Sequence, residues 1–408
     1  MLAFGLQAVQ PAPVPAGSSC VRCHQELDGS LAEAVKLSAG DIHFVKGLSC
    51  HDCHGGDPAV GVDQGDMYDS MSPAKGYIGT PRHDRIAVLC AKCHSRLEYM
   101  RKYNPQARVD QYEEYLTSGH GRRYQGGDSK VATCTDCHGA HGIRAVGDPN
   151  GRVYPTNIAG TCSQCHSDSQ RMAGYGMPTD QFELYSASVH GIAVIEKRDI
   201  SAPTCNDCHG NHGATPPGVD AVANVCGQCH VMQWDLFGRS PHQAAFAAAG
   251  FPACDTCHEH HAVQPTSDAM LGVEDPAVCT ICHDPGSAGY GAARGMKEAI
   301  VALEGKIARA REVLEEAERA GMEVSRPIFN LTEGRNFLIR ARVETHRFDP
   351  AALRKVLDEG MHIAAAAEQN GHDALSELAF RRKGMGVSAV IILLLIGLLI
   401  VKIRQLPG

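Results

Sequence analysis

The sequence predicts a mainly α-helical chain with much irregular coil, built from two unlike parts and ending in an apolar helix. Three observations predict it. All 18 cysteines of the 408 residues lie before position 283. Beyond position 287 apolar residues recur at helical spacing. Residues 387–401 carry no charge. The boundaries that follow are a leader-like segment 1–17, a cysteine-rich domain 18–286, a helical domain 287–384, an apolar helix 385–403 and a tail 404–408.

The cysteine-rich part lacks the residues of an ordinary core. Aromatic residues make up 5% of the chain, with one Trp, against 22 His, 43 Gly and 21 Pro. Such a chain needs another source of buried apolar mass. Its charge also sets it apart: residues 1–287 hold 20 Lys and Arg against 31 Asp and Glu, within an overall net charge of −8. That acidic balance argues against nucleic-acid binding, which shows a basic patch.

The cysteines fall into nine Cys-x-x-Cys pairs, and His follows every one. In the first five, Cys20 and Cys23 precede His24, Cys50 and Cys53 precede His54, Cys90 and Cys93 precede His94, Cys134 and Cys137 precede His138, and Cys162 and Cys165 precede His166. In the last four, Cys205 and Cys208 precede His209, Cys226 and Cys229 precede His230, Cys254 and Cys257 precede His258, and Cys279 and Cys282 precede His283. A disulfide framework does not demand a His after each pair. A zinc ribbon gives the adjacent His no reason to recur. A thioredoxin-like motif occurs once, in a βαβ setting that is not visible here. Nine of nine is the pattern of c-type haem attachment.

The chemistry accounts for the spacing. Two thiols add to two haem vinyl groups, a short turn or helical start sets their separation, and the next imidazole reaches the iron from the same side. The expectation is nine covalently bound c-type haems. With about 29 residues per motif, too few for a separate core around each, the porphyrins must pack against one another as the core.

Thirteen histidines remain. His120, His190 and His242 stand in Ser-x-His, each before a haem motif, while His141, His212 and His261 stand three residues after a proximal His. One repeat therefore runs Ser-x-His, Cys-x-x-Cys-His-x-x-His, then a plain Cys-x-x-Cys-His, at 118–166, 188–230 and 240–283. Each repeat carries two haems and two spare histidines, the ratio that bis-His ligation requires. A His three residues past the proximal one cannot reach around the ring, so it should ligate a neighbouring haem. His43 and His83, each seven residues before a haem cysteine, complete eight expected distal ligands for nine irons. The ninth is left between His260, His346, Met67 or Met71, and an open site. His51 lies inside a motif and is a weak candidate, and His362 and His372 read as surface residues. Axial identity matters, because Met raises the potential and an open iron binds substrate.

In the second part Met296, Ile300, Leu303, Ile307, Ala310, Leu314 and Ala317 form an alternating four-and-three seam. Gly321 closes this helix, Pro327 suits the first turn of a second over 327–347, and Asp349-Pro350 starts a third. Antiparallel helices joined by short turns are the simple reading. The seam reads as an internal core, with an oligomer interface as the alternative. From Met385 to Val401 the run is about 25 Å of helix, at the short end for a membrane span, with Arg381, Arg382 and Lys383 before it and Lys402 and Arg404 after it. Flanks of one sign leave orientation undecided. Completion of c-type haems outside the cytoplasmic membrane places the haem part in the periplasm, with a single C-terminal span in the inner membrane. Residues 1–17 read as the end of a signal peptide without a basic n-region.

The nine Cys-x-x-Cys-His motifs, with their repeated Ser-x-His and Cys-His-x-x-His elements, resemble the bacterial multihaem c-type cytochromes over residues 18–283. The resemblance implies motif cysteines bonded to haem, motif histidines as proximal ligands and outlying histidines as distal ones. It implies redox-protein partners, such as a quinol-oxidising or terminal reductase complex. The C-terminal helices are also reminiscent of the hydroxylamine oxidoreductase and nitrite reductase superfamily. The sequence departs from the nitrite reductases, whose catalytic haem often has Lys for the motif His. The expected function is electron transfer along a haem chain, with the protein tuning and positioning the groups. The alternative is an oxidoreductase acting on a small nitrogen or sulfur oxyanion at one open haem.

Overall fold

The computed structural model describes residues 18–60, 67–216 and 218–405. The leader-like segment 1–17 and the last residues of the tail lie outside them, as does the side chain of Met67. The chain divides into two compact units, one of residues 1–225 with 258–265 and one of 226–257 with 266–408. Both are helical, and among the described residues there is no strand.

The first unit is a string of short helices separated by coil. The longest, His83–His94 and Pro155–His166, have 12 residues each and carry a Cys-x-x-Cys-His motif in their last turns. Three other motifs begin a helix: Cys50–His54, Cys134–His138 and Cys205–His209. There the second variable residue is Asp, and it closes a capping box with the residue before the motif: Ser49 with Asp52, Thr133 with Asp136, Thr204 with Asp207. The box satisfies backbone donors that a five-residue helix would otherwise leave bare. Little apolar side chain is buried here; Ala87, Ala159 and Val194 are typical, beside fully enclosed Thr204 and Ser188. A unit of this size held only by such small groups lacks the core that usually stabilises a domain.

The second unit contains three long helices: α1, Ala288–Arg319; α2, Ser325–Glu344; and α3, Pro350–Arg404. Ser287 caps α1, and Asp349 caps α3 by accepting from the Ala351 and Ala352 amides. Gly321, with φ +85°, turns the chain after α1. All seven seam residues of α1 are buried, against Leu331, Leu338 and Ala341 of α2 and Leu353, Leu357, Ala364 and Ala367 of α3. The seam is thus internal to an up-down-up bundle. Burial of each large aliphatic side chain such as Leu303 or Leu353 contributes about 1.5–3 kcal/mol. α3 passes very close to its neighbours: a Cβ on Gly371 would stand 2.7 Å from Val313 Cγ1 and 3.3 Å from the Leu314 amide nitrogen.

α3 has 55 residues, about 82 Å at 1.5 Å per residue. Its first half completes the bundle, and its apolar second half is exposed throughout. This one long apolar helix is a candidate membrane span, with a mean hydropathy of 2.8 over its best window and none of that window buried. His362 and His372 lie on its exposed side.

Candidate haem-binding array

The attachment cysteines are half-buried or exposed, and none is in a disulfide. They meet in a regular way. First cysteines are neighbours: Cys90 of Cys134, Cys162 of Cys205, Cys226 of Cys254, and Cys20 of Cys50. Second cysteines make the next link: Cys53 with Cys93, Cys137 with Cys165, and Cys257 with Cys279 and Cys282. Cys208 is half-buried near the Tyr185 ring, together with Cys205, and Cys229 is exposed.

Burial, helped by Asp136, pushes the Cys137 thiol up to about 11, and burial with the neighbouring Cys279 and Cys282 does the same for Cys257. Thiols held protonated at neutral pH are poor metal-binding or redox thiolates. Among the described residues no group of three or more His, Cys, Asp or Glu is arranged to hold a bare metal ion.

The histidines instead meet in twos. His54 faces His141 at 6.1 Å between ring centroids, His138 faces His212 at 6.1 Å, and His209 faces His261 at 5.9 Å. These three pairs are close to parallel, with interplanar angles of 21°, 7° and 27°. His43 faces His94 at 6.0 Å, His120 faces His166 at 6.0 Å, and His242 faces His283 at 5.8 Å. Their rings are turned by 87°, 57° and 80°. An iron between two imidazoles needs a metal–nitrogen bond of about 2.0–2.1 Å on each side, which with a ring half-width of about 1.1 Å puts the centroids about 6.3 Å apart. The pairs stand within a few tenths of an ångström of that separation. A haem supplies the four remaining ligands, so two histidines suffice.

The hydrogen bonds behind the rings suit this use. His54 Nδ1 donates to the Gly79 carbonyl at 2.9 Å. His43 Nδ1 donates to Asp41 at 3.0 Å, and Asp41 also accepts from the Ile143 amide at 2.8 Å. A bond at Nδ1 fixes the tautomer and aims Nε2 at the metal. His242 Nδ1 is buried with no hydrogen-bond partner. Burial favours the neutral imidazole, which iron ligation requires, at His94, His120, His141, His166, His209, His212, His242 and His261; His138 falls to about 4 through burial and the adjacent His212.

Local structure explains why the histidines sit where they do. After the proximal His, Gly55, Gly139 and Gly210 adopt φ of +71°, +90° and +77°, and Glu259 also has a positive φ, +62°. The turn sends the following residues away from the haem just attached, so that His141, His212 and His261 face earlier motifs. The serines of Ser-x-His are helix caps. Ser118 accepts from the Gly121 amide, Ser188 from Gly191 and Ser240 from Gln243. Ser118 and Ser188 also donate to the carbonyls of Tyr115 and Tyr185 at 2.6 Å.

Motif spacing alone does not single out those two tyrosines. Their hydroxyls donate to Ala132 O at 2.8 Å and Pro203 O at 3.0 Å, one residue before the Thr133 and Thr204 caps. They brace each distal His segment against the next haem motif. The signal is Tyr-x-x-Ser-x-His-Gly at 115–121 and 185–191, and the glycine is required because a Cβ on Gly121 would fall 1.8 Å from Tyr115 O.

Other predicted residues are placed differently. His83 lies beside Tyr124 at 6.2 Å, and its Nε2 donates to the Val131 carbonyl at 2.8 Å. His260 rests edge-on against His261 at 4.7 Å. His51 Nδ1 is buried without a partner. His190 sits in a short helix capped by Ser188. Among the described residues no histidine ring packs against that of His24.

Comparison with known proteins bears on the same region. A family profile described as a doubled CXXCH motif matches residues 244–288. The chain is 24% identical over 168 residues to the C-type polyheme cytochrome OmcC of Geobacter sulfurreducens, an alignment covering 36% of this chain and 20% of that protein. These matches support a multihaem c-type cytochrome with covalently bound haem. The chain thus spans about a fifth of the length of the curated relative it matches. No solved structure matches it.

Proposed function

We propose that this chain is a membrane-anchored nonahaem cytochrome that moves electrons along haems arranged in sequence order. The observation that supports this reading is the alternation of cysteine neighbours. In the first unit, first-cysteine and second-cysteine neighbours link motifs one to five in succession, and a first-cysteine contact adds the sixth. In the second unit the same two kinds of contact link motifs seven, eight and nine. Groups bonded to neighbouring thiols would lie near one another, as short electron hops require. Bound haem supplies the redox couple; the chain supplies covalent attachment, paired imidazoles and a dry setting.

The apolar half of α3 anchors the protein in the inner membrane, with the haem part in the periplasm. Redox proteins, among them a quinol-oxidising or terminal reductase complex, are its partners in respiratory electron transport. Oligomers through the helical domain are a further expectation. Paired imidazoles give low-spin iron of low potential. An electron paramagnetic resonance spectrum should therefore show low-spin haem that does not change with nitrite, hydroxylamine or a quinol analogue.

One observation favours a second reading, an oxidoreductase acting on a small nitrogen or sulfur oxyanion. His83 engages Val131 rather than a motif imidazole, which leaves the haem of Cys20, Cys23 and His24 without an assigned histidine opposite. A high-spin signal that responds to nitrite or hydroxylamine would select this reading over pure electron transfer.

A further inference from the structure

The histidine pairs follow a rule that leaves one partner missing, and the helical bundle supplies a residue for it. His141 faces His54, His212 faces His138, and His261 faces His209. Each His three residues past a proximal His thus serves the haem attached two motifs earlier. The eighth motif, carried by Cys254 and Cys257, needs a ligand from two motifs further on, and the ninth motif is the last. Its ligand must come from elsewhere in the chain. After position 283 the sequence holds three histidines, His346, His362 and His372, of which the last two are exposed on α3.

His346 lies in the turn Thr345–Arg347 between α2 and α3. It is half-buried, and its Nδ1 donates to the Val343 carbonyl at 2.9 Å, the same arrangement that orients His54. The turn packs on the helix Val231–Gly238, which follows directly on His230. Two residues along, Phe348 adopts φ +50° and sets its ring 4.1 Å from that of His242, the partner of His283. The turn therefore reaches the haem motifs of its own unit.

The surroundings repeat those of an assigned pair. Around the fourth motif, Cys134 touches Cys90, and His94, which ends the Cys90 motif, is near His212, the partner of His138. Around the eighth motif, Cys254 touches Cys226, and His230, which ends the Cys226 motif, is near His346. His346 occupies the place of His212.

We propose that His346 is the distal axial ligand of the haem attached at Cys254 and Cys257. The proposal rests on the multihaem reading above. The helical bundle then supplies a ligand to the redox array, because removal of its α2–α3 turn opens one iron.

The test uses the full-length, haem-loaded protein in detergent. His346→Ala should convert one low-spin haem to high spin and create one carbon monoxide-binding haem on reduction, while His362→Ala leaves the spectrum as it is. His346→Met should restore six-coordination with one haem at raised potential, and it decides the matter if the alanine variant does not accumulate. With Cys254 and Cys257 both changed to Ser, so that this haem is absent, His346→Ala should produce no further high-spin iron. Wild-type spectra from both His346 variants overturn the proposal, as does a high-spin iron that persists when the eighth haem is removed. Absence of low-spin haem from the wild type would instead overturn the underlying reading.

Discussion

His212→Ala separates cross-ligation from local ligation. His212 follows Cys208, the second cysteine of its own motif, by four residues, but its ring stands 6.1 Å from His138 and nearly parallel to it. The haem of Cys205 and Cys208 has its own pair, His209 and His261, at 5.9 Å. Removal of His212 should therefore open the iron of the haem held by Cys134 and Cys137 and leave the iron of its own motif six-coordinate. With nine motifs the expected change is one iron, about a ninth of the low-spin intensity, because only one axial bond is lost. Spin-quantified resonance spectra of the oxidised variant measure this, and carbon monoxide binding after reduction counts the open site independently. His212→Met should close the site again and raise the potential of one haem. The reasoning is refuted if the low-spin intensity is unchanged, or if the iron that opens is still present when Cys134 and Cys137 are both replaced by Ser.

Three further outcomes follow from the packing and the hydrogen bonds. Gly371→Ala improves helix propensity by about 1 kcal/mol, but its Cβ would meet Val313 Cγ1 at 2.7 Å. Overpacking of about 1–3 kcal/mol wins, so the thermal midpoint of the bundle should fall; a rise would show that α3 shifts freely. Asp41→Ala removes the acceptor of both His43 Nδ1 and the Ile143 amide, at a cost of about 1–3 kcal/mol for unsatisfied donors. The less basic imidazole should raise the potential of the haem held by Cys90 and Cys93 in a reductive titration, and an unchanged potential would remove Asp41 from that role. Glu368 is held below the usual carboxylate range, chiefly by its hydrogen bond with Lys306. A depressed folded-state value stabilises above the ordinary carboxylate pKa of about 4.5 and is lost as pH falls through the lower one. Bundle stability in the wild type should thus fall more steeply below pH 4.5 than in Glu368→Gln, and parallel acid profiles would contradict the assignment.

The bundle is largely legible in the sequence. A seam of seven residues from Met296 to Ala317 sets one face of α1, and a Gly321 stop and an Asp349-Pro350 start leave few alternatives for the chain. What the pattern does not show is that α3 runs unbroken from Pro350 into the apolar tail. Helix continuity across Arg381 to Gly386 depends on the absence of a breaker, a weaker signal than a cap. Motif spacing names the cysteines expected to attach haem but not which thiols are neighbours, because long-range contacts are not encoded in local spacing. The expectation that His141, His212 and His261 serve other haems comes from local geometry alone; past the positive-φ residues Gly139, Gly210 and Glu259 their rings lie against those of His54, His138 and His209. His83 illustrates the opposite case. Its spacing matches that of His43, but His43 has Asp41 behind Nδ1, whereas His83 places Nε2 on a carbonyl. Sequence distance to a cysteine is a poor guide where the hydrogen-bond partner decides which nitrogen is presented.

The central claim is that all nine motifs carry haem, since the small buried side chains of the first unit leave the porphyrins as its core. The intact mass of the denatured full-length protein measures this directly. The account predicts a single species with nine covalent haem additions. A mature protein with unmodified Cys-x-x-Cys pairs, or with fewer additions in a folded and homogeneous sample, would contradict it.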